Sequence, residues 1–208
     1  MTLTQLEALD AAELQTNPFD FIVVPDFLSP AQLKLVNADY PEINTATNHE
    51  LSDLQYGPRF AEVLQELETD AFKQHLGDKF NVDLTENPTT VTVRKFCERT
   101  DGHIHRDHAS KVITMLLYFN EEWDSDGGCL RMLRSPSNLE DYTAEVKPMG
   151  GTLLAFRRTD HSWHGHKQFV GERRMLQYNF LSAGRLPRMM QKLSRASTHF
   201  GKRVLGLR

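Results

Sequence analysis

The pattern of apolar residues changes near residue 89, and this change limits the possible folds more than any other feature. Before it, apolar residues recur at helical spacing. After it, short segments rich in β-branched and aromatic residues alternate with Gly, Pro, Asn, Asp and Ser. These segments are TTVTVRKFC, KVITMLLYF, CLRMLR, TAEVKP, TLLAF, the surroundings of SWHGH, and RMLQYNFL. Helices followed by antiparallel-type strands predict a mainly β protein, a closed or double-sheet jelly roll (cupin-like) with N-terminal helices packed on one sheet.

The first part of the chain predicts helices around a single strand. Leucines at helical spacing indicate a short helix within residues 3–15, and the apolar run FDFIVVPDF indicates a strand that stops at Pro25. Ser29 followed by Pro30 is a typical N-cap with proline in the first helical turn. A second helix is therefore expected to begin there and to run through AQLKLVNADY.

The next segments predict a loop and a longer helix. Polar and turn-forming residues in 42–58 indicate a loop that borders the mouth of a site. An apolar stripe then predicts one helix from Arg59 to Leu76, closed by Gly77. Near the end of the chain, the run RMMQKLSRASTHF after Pro187 predicts a final helix.

The 208 residues fit one domain that is large enough to bury a core. We divide it into a helical buttress with an N-terminal strand (1–88), a jelly-roll core (89–182) and a basic C-terminal segment (183–208). The first half is acidic and the second half basic, which favours packing of the halves against each other. A second interpretation is that the C-terminal segment, with its Lys and Arg residues and no acid, attracts an anionic partner; nucleic acid binding is not expected.

Composition excludes a membrane-spanning helix, because no run of about 18 apolar residues is present. The N-terminus has acidic residues where a secretory signal has basic and then apolar residues, so we expect a cytoplasmic location. Cys97 and Cys129 are too few for a disulfide framework. We expect both to be ordinary buried thiols.

The sequence HIHRD contains the first candidate metal ligands. If this segment is extended, alternate side chains share a face, which places His105 and Asp107 together with His103 and turns Arg106 away. A third ligand must come from a distant part of the chain, and the histidines of SWHGH (162–166) can supply it. Two histidines and a carboxylate on one side of a metal, with open positions opposite, is the arrangement of non-haem Fe(II) oxygenases.

Further motifs in the same order carry a family resemblance. Thr114 is followed by YFNEEW, then by GGCLR, then by the LLAF run, and this run leads through His164 to Arg173 without a gap in the spacing. Over roughly residues 89–182 the chain resembles the 2-oxoglutarate-dependent Fe(II) dioxygenases. Within them it is most similar to the prolyl-hydroxylase-like branch that includes the hypoxia-inducible-factor prolyl hydroxylases. The resemblance implies a double-stranded β-helix (jelly-roll) fold.

The resemblance also implies a ligand set and a reaction. Fe(II) is held by His105, Asp107 and His164, and the cosubstrate 2-oxoglutarate binds together with O₂. A substrate C–H bond is hydroxylated while 2-oxoglutarate is decarboxylated to succinate and CO₂, with ascorbate as a reductant. Family spacing favours His164 as the third ligand because it lies nine residues before Arg173, and His166 is the alternative.

One of two adjacent arginines is implied to bind the carboxylate of 2-oxoglutarate, and strand geometry favours one of them. Alternation places Arg174 on an apolar face with Leu176 and Tyr178, and Arg173 on a polar face with Gln177. The apolar face is expected to pack under the helices. Arg173 is therefore predicted to face the interior, where its guanidinium forms paired hydrogen bonds with the distal carboxylate, and Arg174 is the alternative.

The sequence departs from the family pattern at one helper position. Many of these hydroxylases have a tyrosine that assists the cosubstrate carboxylate where this chain has Leu117, so that helper is predicted to be missing. The candidates to replace it are Thr114, Gln177 and Lys95. Side chains that could orient the metal ligands through hydrogen bonds are His103, His166 and Tyr118.

These residues are compatible with three functions. The first is a 2-oxoglutarate-dependent hydroxylase whose substrate is a prolyl residue of a protein, a free amino acid or another small metabolite. The second is a cupin-type enzyme with a three-histidine site at His103, His105 and His164, which leaves Asp107 and Arg173 without a role. The third is a non-catalytic binding module, which the complete ligand set opposes.

Overall fold

The computed structural model describes residues 2–182, so the helix and the basic segment predicted near the C-terminus lie outside the described residues. Helices, strands and one 3₁₀ turn (Leu51–Asp53) follow one another in chain order. They are α1 (Leu6–Ala11), β1 (Phe21–Val24), α2 (Pro30–Ala38), β2 (His49–Glu50), α3 (Pro58–Glu68), α4 (Asp70–Phe80), β3 (Thr89–Cys97), β4 (Lys111–Tyr118), β5 (Leu130–Leu133), β6 (Tyr142–Val146), β7 (Leu153–Arg157), β8 (Trp163–Gly165) and β9 (Gly171–Leu181).

The strands form two antiparallel sheets. The larger has the order β1-β7-β4-β9-β3-β2 and the smaller the order β6-β5-β8. The predicted mainly β, double-sheet architecture is confirmed, and each β segment predicted after residue 89 overlaps one of the strands β3 to β9. Because β1 and β2 also belong to the larger sheet, that sheet takes strands from both sides of the boundary predicted at residue 88.

The larger sheet is buried on both faces. On one face, Leu176 and Tyr178 of β9 belong to an apolar core shared with the helices, as the sequence predicted. On the other face, Leu116 of β4 and Met175 of β9 pack with Leu130 of the smaller sheet. Apolar burial on both sides holds the sheet between the helices and the second sheet.

Two helices occupy the region where the sequence predicted one from Arg59 to Leu76, so that prediction is wrong. Thr69 ends α3 and begins α4, with an extended backbone at φ −65° and ψ 146°. Its hydroxyl accepts a hydrogen bond from the Phe72 N–H at 3.3 Å, which caps the new helix. Local capping chemistry therefore overrides a continuous apolar stripe.

Gly77 lies inside α4 and does not close it, which corrects the predicted helix end. A Cβ at this position would lie 2.5 Å from the carbonyl oxygen of Val82, so glycine is needed for close packing. The helix instead ends at Asn81, whose backbone is left-handed with φ 48°.

The stretch 42–58 is more ordered than the loop that was predicted. It contains β2, which pairs with β3 at the edge of the larger sheet, and the short 3₁₀ turn. Among residues 2–182, no helix is long and apolar enough to cross a bilayer. Cys97 and Cys129 are free and buried, as expected.

Replacing Thr69 by alanine is expected to destabilise the protein by about 1 kcal/mol, because the N-terminus of α4 loses its side-chain cap. Urea unfolding monitored by circular dichroism measures this change. Thr16→Ala is the matched control, since Thr16 is exposed and lies outside the helices. Equal stability of the Thr69 variant and the wild type would show that the cap is not needed.

Candidate active site

A cavity of about 310 Å³ opens between the two sheets, beside the connection from β3 to β4. Its walls combine metal-ligand types, arginines and a small apolar group. The polar members include Asn48, Arg94, Cys97, Asp101, His103, His105, Asp107, Thr114, His164, His166, Arg173 and Gln177, and the apolar members are Leu116, Leu130, Phe156 and Met175.

The cavity brings together the three predicted metal ligands. His105, Asp107 and His164 each offer a ligand atom, and these atoms all lie within 4.8 Å of one another. The imidazole of His164 is buried, and the Asp107 side chain is only 8% exposed. This donor set suits a divalent transition metal that keeps open positions for other ligands.

A backbone bridge fixes the two histidines relative to each other. The HIHRD segment is not the strand that was assumed, because only His105 forms a β-bridge, and it does so with His164. The N–H of each donates to the carbonyl oxygen of the other, at 2.9 and 3.0 Å. Close approach here needs glycine: a Cβ on Gly165 would lie 2.9 Å from the carbonyl oxygen of Gly102.

Hydrogen bonds set the tautomers of both imidazoles. Nδ1 of His105 lies 2.9 Å from the carbonyl oxygen of His103, and Nδ1 of His164 lies 3.0 Å from that of Ser162. A carbonyl oxygen only accepts, so each Nδ1 carries the proton and each Nε2 keeps a lone pair. Burial also lowers the pKa of His164 to about 4, which keeps its ring neutral as a metal ligand requires.

Asp107 is held in its charged form. Burial alone opposes ionisation, but Lys111 donates to Oδ1 at 2.9 Å and Thr114 donates to Oδ2 at 2.5 Å. Together with the neighbouring charge of Lys111, these bonds hold the pKa of Asp107 well below its usual range. The carboxylate is therefore ready to bind a cation, and the three residues fit a divalent metal in protonation state as well as in position.

Arg173 is a buried cation without an anionic partner among residues 2–182. It is 3% exposed, and its guanidinium contacts the Gly128 carbonyl oxygen at 2.8 Å, the Met175 sulfur at 2.9 Å and the Tyr118 hydroxyl at 3.4 Å. No carboxylate within residues 2–182 forms an ion pair with it. A buried charge is costly unless it is paired, so this end of the cavity is built for an anion.

Arg174 points away from the cavity. Its guanidinium forms an ion pair with Glu172 at 2.5 Å and lies over the ring of Tyr40 at 5.5 Å. The alternation predicted for β9 is thus the one that the structure has, with Arg173 inside and Arg174 outside.

Tyr118 corrects the prediction of a missing tyrosine. Leu117 faces the helix-side core, whereas the fully buried Tyr118 places its hydroxyl beside Arg173. A hydroxyl is therefore available at this end of the cavity. The sequence argument failed because it assigned the helper to the neighbouring position, and neighbours on a strand point to opposite faces.

The proposed replacements for that tyrosine divide into two groups. Thr114 and Gln177 line the cavity. Lys95 is not among the lining residues, so its assignment to the cavity is wrong. Arg94, which precedes Lys95 on β3, lines the cavity and pairs in regular register with Met175 of β9; the β-bulge interrupts the pairing only after Arg94.

The two remaining histidines contribute in different ways. His103 orients His105 through its carbonyl oxygen, while its own side chain does not join the ligand group. His166 is 8% exposed and lines the cavity, but its Nδ1 contacts the carbonyl oxygen of Lys167, and it is not part of the ligand group. Burial, followed by the charge of Arg173, lowers the pKa of His166 to about 4.

Sequence reasoning missed three charged residues of the site. Lys111 begins β4 and binds Asp107, a pairing that four-residue spacing along the chain does not reveal outside a helix. Arg94 and Asp101 form an ion pair in the cavity wall. Their signal in the sequence was weak, because charged residues usually face solvent.

Comparison with known proteins locates a family in the same part of the chain. Residues 92–181 match the family model of the 2OG-Fe(II) oxygenase superfamily. No curated protein matches the chain significantly.

Several solved structures share the fold. A prolyl-4-hydroxylase from Pseudomonas putida is 16% identical with a TM-score of 0.57, over 86% of this chain and 93% of that one. A prolyl 4-hydroxylase from Phytophthora capsici is 17% identical with a TM-score of 0.58, over 86% of this chain and 63% of that one. The viral collagen prolyl hydroxylase of Paramecium Bursaria Chlorella virus-1, in complex with 2OG, is 14% identical with a TM-score of 0.53, over 79% and 96%.

Replacing Gly165 by alanine is expected to weaken metal binding roughly 10- to 100-fold, as happens when the groups that orient metal ligands are disturbed. The added Cβ pushes the His103–His105 segment away from His164. Anaerobic titration with Fe(II) measures the affinity. Gly77→Ala is the control, because it also introduces a close contact but lies in α4; it should lower stability and leave metal affinity unchanged.

Replacing Lys111 by methionine is expected to raise the pKa of Asp107 to its usual range or above, since burial opposes ionisation and the cation that offsets this burial is removed. A group with a depressed pKa loses its charge only at low pH. Raising that pKa therefore moves the loss of Fe(II) affinity to higher pH as the solution is acidified. Titrations across pH 4 to 8 test this, with exposed Lys34→Met as control. Superimposable profiles for wild type and Lys111→Met would contradict it.

Proposed function

We propose that this chain, whose residues 92–181 match the 2OG-Fe(II) oxygenase superfamily, is such an oxygenase, and that it hydroxylates a substrate C–H bond and decarboxylates 2-oxoglutarate to succinate and CO₂. In this proposal Fe(II) is held by His105, Asp107 and His164. One oxygen atom of O₂ goes to the substrate and the other to succinate. Two electrons come from the substrate and two from 2-oxoglutarate, so the four-electron reduction of O₂ is balanced.

The buried charge of Arg173, which no described acidic residue pairs, is the observation that carries this proposal. It shares one cavity with the three ligand residues, as a cosubstrate that contacts both a metal and an arginine requires. A dicarboxylate supplies the missing anion. Nη2 of Arg173 and the hydroxyl of Tyr118 are adjacent donors for its distal carboxylate.

The protein residues have distinct tasks. When bound, Fe(II) supplies the site at which O₂ is activated. The Nδ1 hydrogen bonds of His105 and His164 aim their Nε2 lone pairs, and Lys111 and Thr114 fix the carboxylate of Asp107. The apolar wall of the cavity keeps bulk water from the reacting groups; it consists of Leu116, Leu130, Phe156 and Met175.

The three-histidine alternative has less support. Asp107 belongs to the ligand group and the side chain of His103 does not. Both substrate classes considered above, a prolyl residue of a protein and a free small molecule, remain compatible with the reaction. The prolyl hydroxylases with the same fold favour the first by analogy alone, and ascorbate is retained as a reductant to be tested.

Anaerobic addition of 2-oxoglutarate to the Fe(II) protein is expected to produce the visible charge-transfer band of a chelated oxoacid. Arg173→Gln should weaken 2-oxoglutarate binding by about 2–5 kcal/mol, because the buried carboxylate loses its charged partner. Arg174→Gln is the matched control on the adjacent residue and should leave the titration unchanged.

Two outcomes would overturn the proposal. Absence of the band at saturating 2-oxoglutarate would show that 2-oxoglutarate is not the cosubstrate. Loss of binding in Arg174→Gln alone would reverse the assignment of the two arginines. Succinate formation that depends on added Fe(II), with a product heavier by one oxygen atom, completes the test.

A further inference from the structure

Besides the metal ligands and Arg173, an ion pair lines the same cavity. Arg94 extends from β3, and its Nη2 forms an ion pair with Oδ2 of Asp101. Both side chains are only partly accessible, with 14% and 18% exposed, and both belong to the cavity wall. This pair has no task in the reaction described so far.

The wall fixes both members of the pair. Nε of Arg94 donates to the carbonyl oxygen of Phe96 at 2.7 Å, and Nη2 also donates to that of Ala46 at 3.1 Å. The backbone N–H of Glu98 donates to Oδ2 of Asp101 at 2.7 Å. Backbone groups at the end of β3 and in the segment before β2 therefore hold the two charges in one orientation, so little ordering is needed when a ligand arrives.

One donor and one acceptor of the pair remain available. Within residues 2–182, no protein atom hydrogen-bonds Nη1 of Arg94 or Oδ1 of Asp101. The pair thus offers a positively charged donor and a negatively charged acceptor side by side. A complementary ligand carries an anionic and a cationic group close together.

We infer that the substrate is a free α-amino acid, bound as its zwitterion with the carboxylate on Arg94 and the ammonium on Asp101. The two charged groups of an α-amino acid are bonded to the same carbon, within about 3 Å of each other. This inference rests on the proposed function and adds the substrate class to it. An amino acid inside a polypeptide has neither charge, so it leaves both partners unmatched.

The first experiment varies the substrate and leaves the wild-type protein intact. Succinate formation is measured with Fe(II), 2-oxoglutarate and O₂, adding each common L-amino acid, its N-acetyl derivative or its carboxamide. At least one free amino acid should raise the rate above that without substrate. Its derivatives should show kcat/KM values roughly 10- to 100-fold lower, the loss expected for one hydrogen bond to a charged group.

The second experiment tests whether Arg94 contacts the carboxylate of the substrate and Asp101 contacts its ammonium group. Arg94→Gln should raise the KM for the free amino acid and have little further effect on the carboxamide, which has already lost the carboxylate. Asp101→Asn should also raise the KM for the free amino acid. It should have little further effect on the N-acetyl derivative, which has already lost the ammonium group. Such non-additivity marks a direct contact, since a merely structural residue would affect all forms equally. Arg134→Gln, which breaks an exposed Arg–Asp pair outside the cavity, is the control.

The outcomes separate this inference from the function on which it rests. If 2-oxoglutarate gives its charge-transfer band but no free amino acid raises succinate formation, the substrate class is wrong and the oxygenase stands. Derivatives as active as the free form, or additive effects of substitution and derivative, also overturn the inference. Absence of the band overturns the oxygenase itself. Instability of the Arg94 variant does not prevent a decision, because the wild-type substrate comparison is independent of it.

Discussion

Burial of the larger sheet on both faces is the constraint on which the site depends. Strand β9 lies between two apolar cores. Its residues point alternately toward the helices and toward the smaller sheet. Leu176 and Tyr178 attach the strand to the helices, and that attachment turns Arg173 and Gln177 into the cavity. A slip of one residue would reverse both faces, so that Arg173 and Gln177 would point toward the helices and Leu176 and Tyr178 into the cavity. The apolar core under the helices therefore fixes the chemistry on the opposite face.

The same alternation explains why much of the site could be predicted from the sequence. Strand β9 spans 11 residues, long enough for its two faces to differ clearly in polarity. The choice between Arg173 and Arg174 followed from that difference. Two of the three metal ligands can be recognised locally, since His105 and Asp107 are two residues apart in the sequence. The third, His164, is placed by a backbone bridge to His105, which is a long-range contact. Periodicity predicts faces well, whereas it does not predict which distant segments meet.

The features that could not be predicted arise where local structure interrupts the periodic pattern of apolar residues along a helix or strand. Thr69 divides a stripe that is periodic throughout, because its hydroxyl competes for a backbone N–H. The β-bulge after Arg94 interrupts the alternation of β3, so that Arg94 and Cys97, three residues apart, both line the cavity. The connection between β3 and β4 has no period at all, so the direction of Asp101 is set only by its contacts. Each case needs atomic geometry that residue types do not contain.

The two cavity arginines differ in how their charge is compensated, and this difference divides the cavity. Arg173 is fully buried and has no acidic partner among the described residues, so it requires an anion from outside the protein. Arg94 already has Asp101, and a second bare anion there would meet the repulsion of that carboxylate. A ligand with both signs of charge keeps the pair balanced while using the free atom on each side. In the proposal above, the cavity therefore selects a net anion near Arg173 and a net neutral molecule at Arg94, which would keep cosubstrate and substrate from exchanging places.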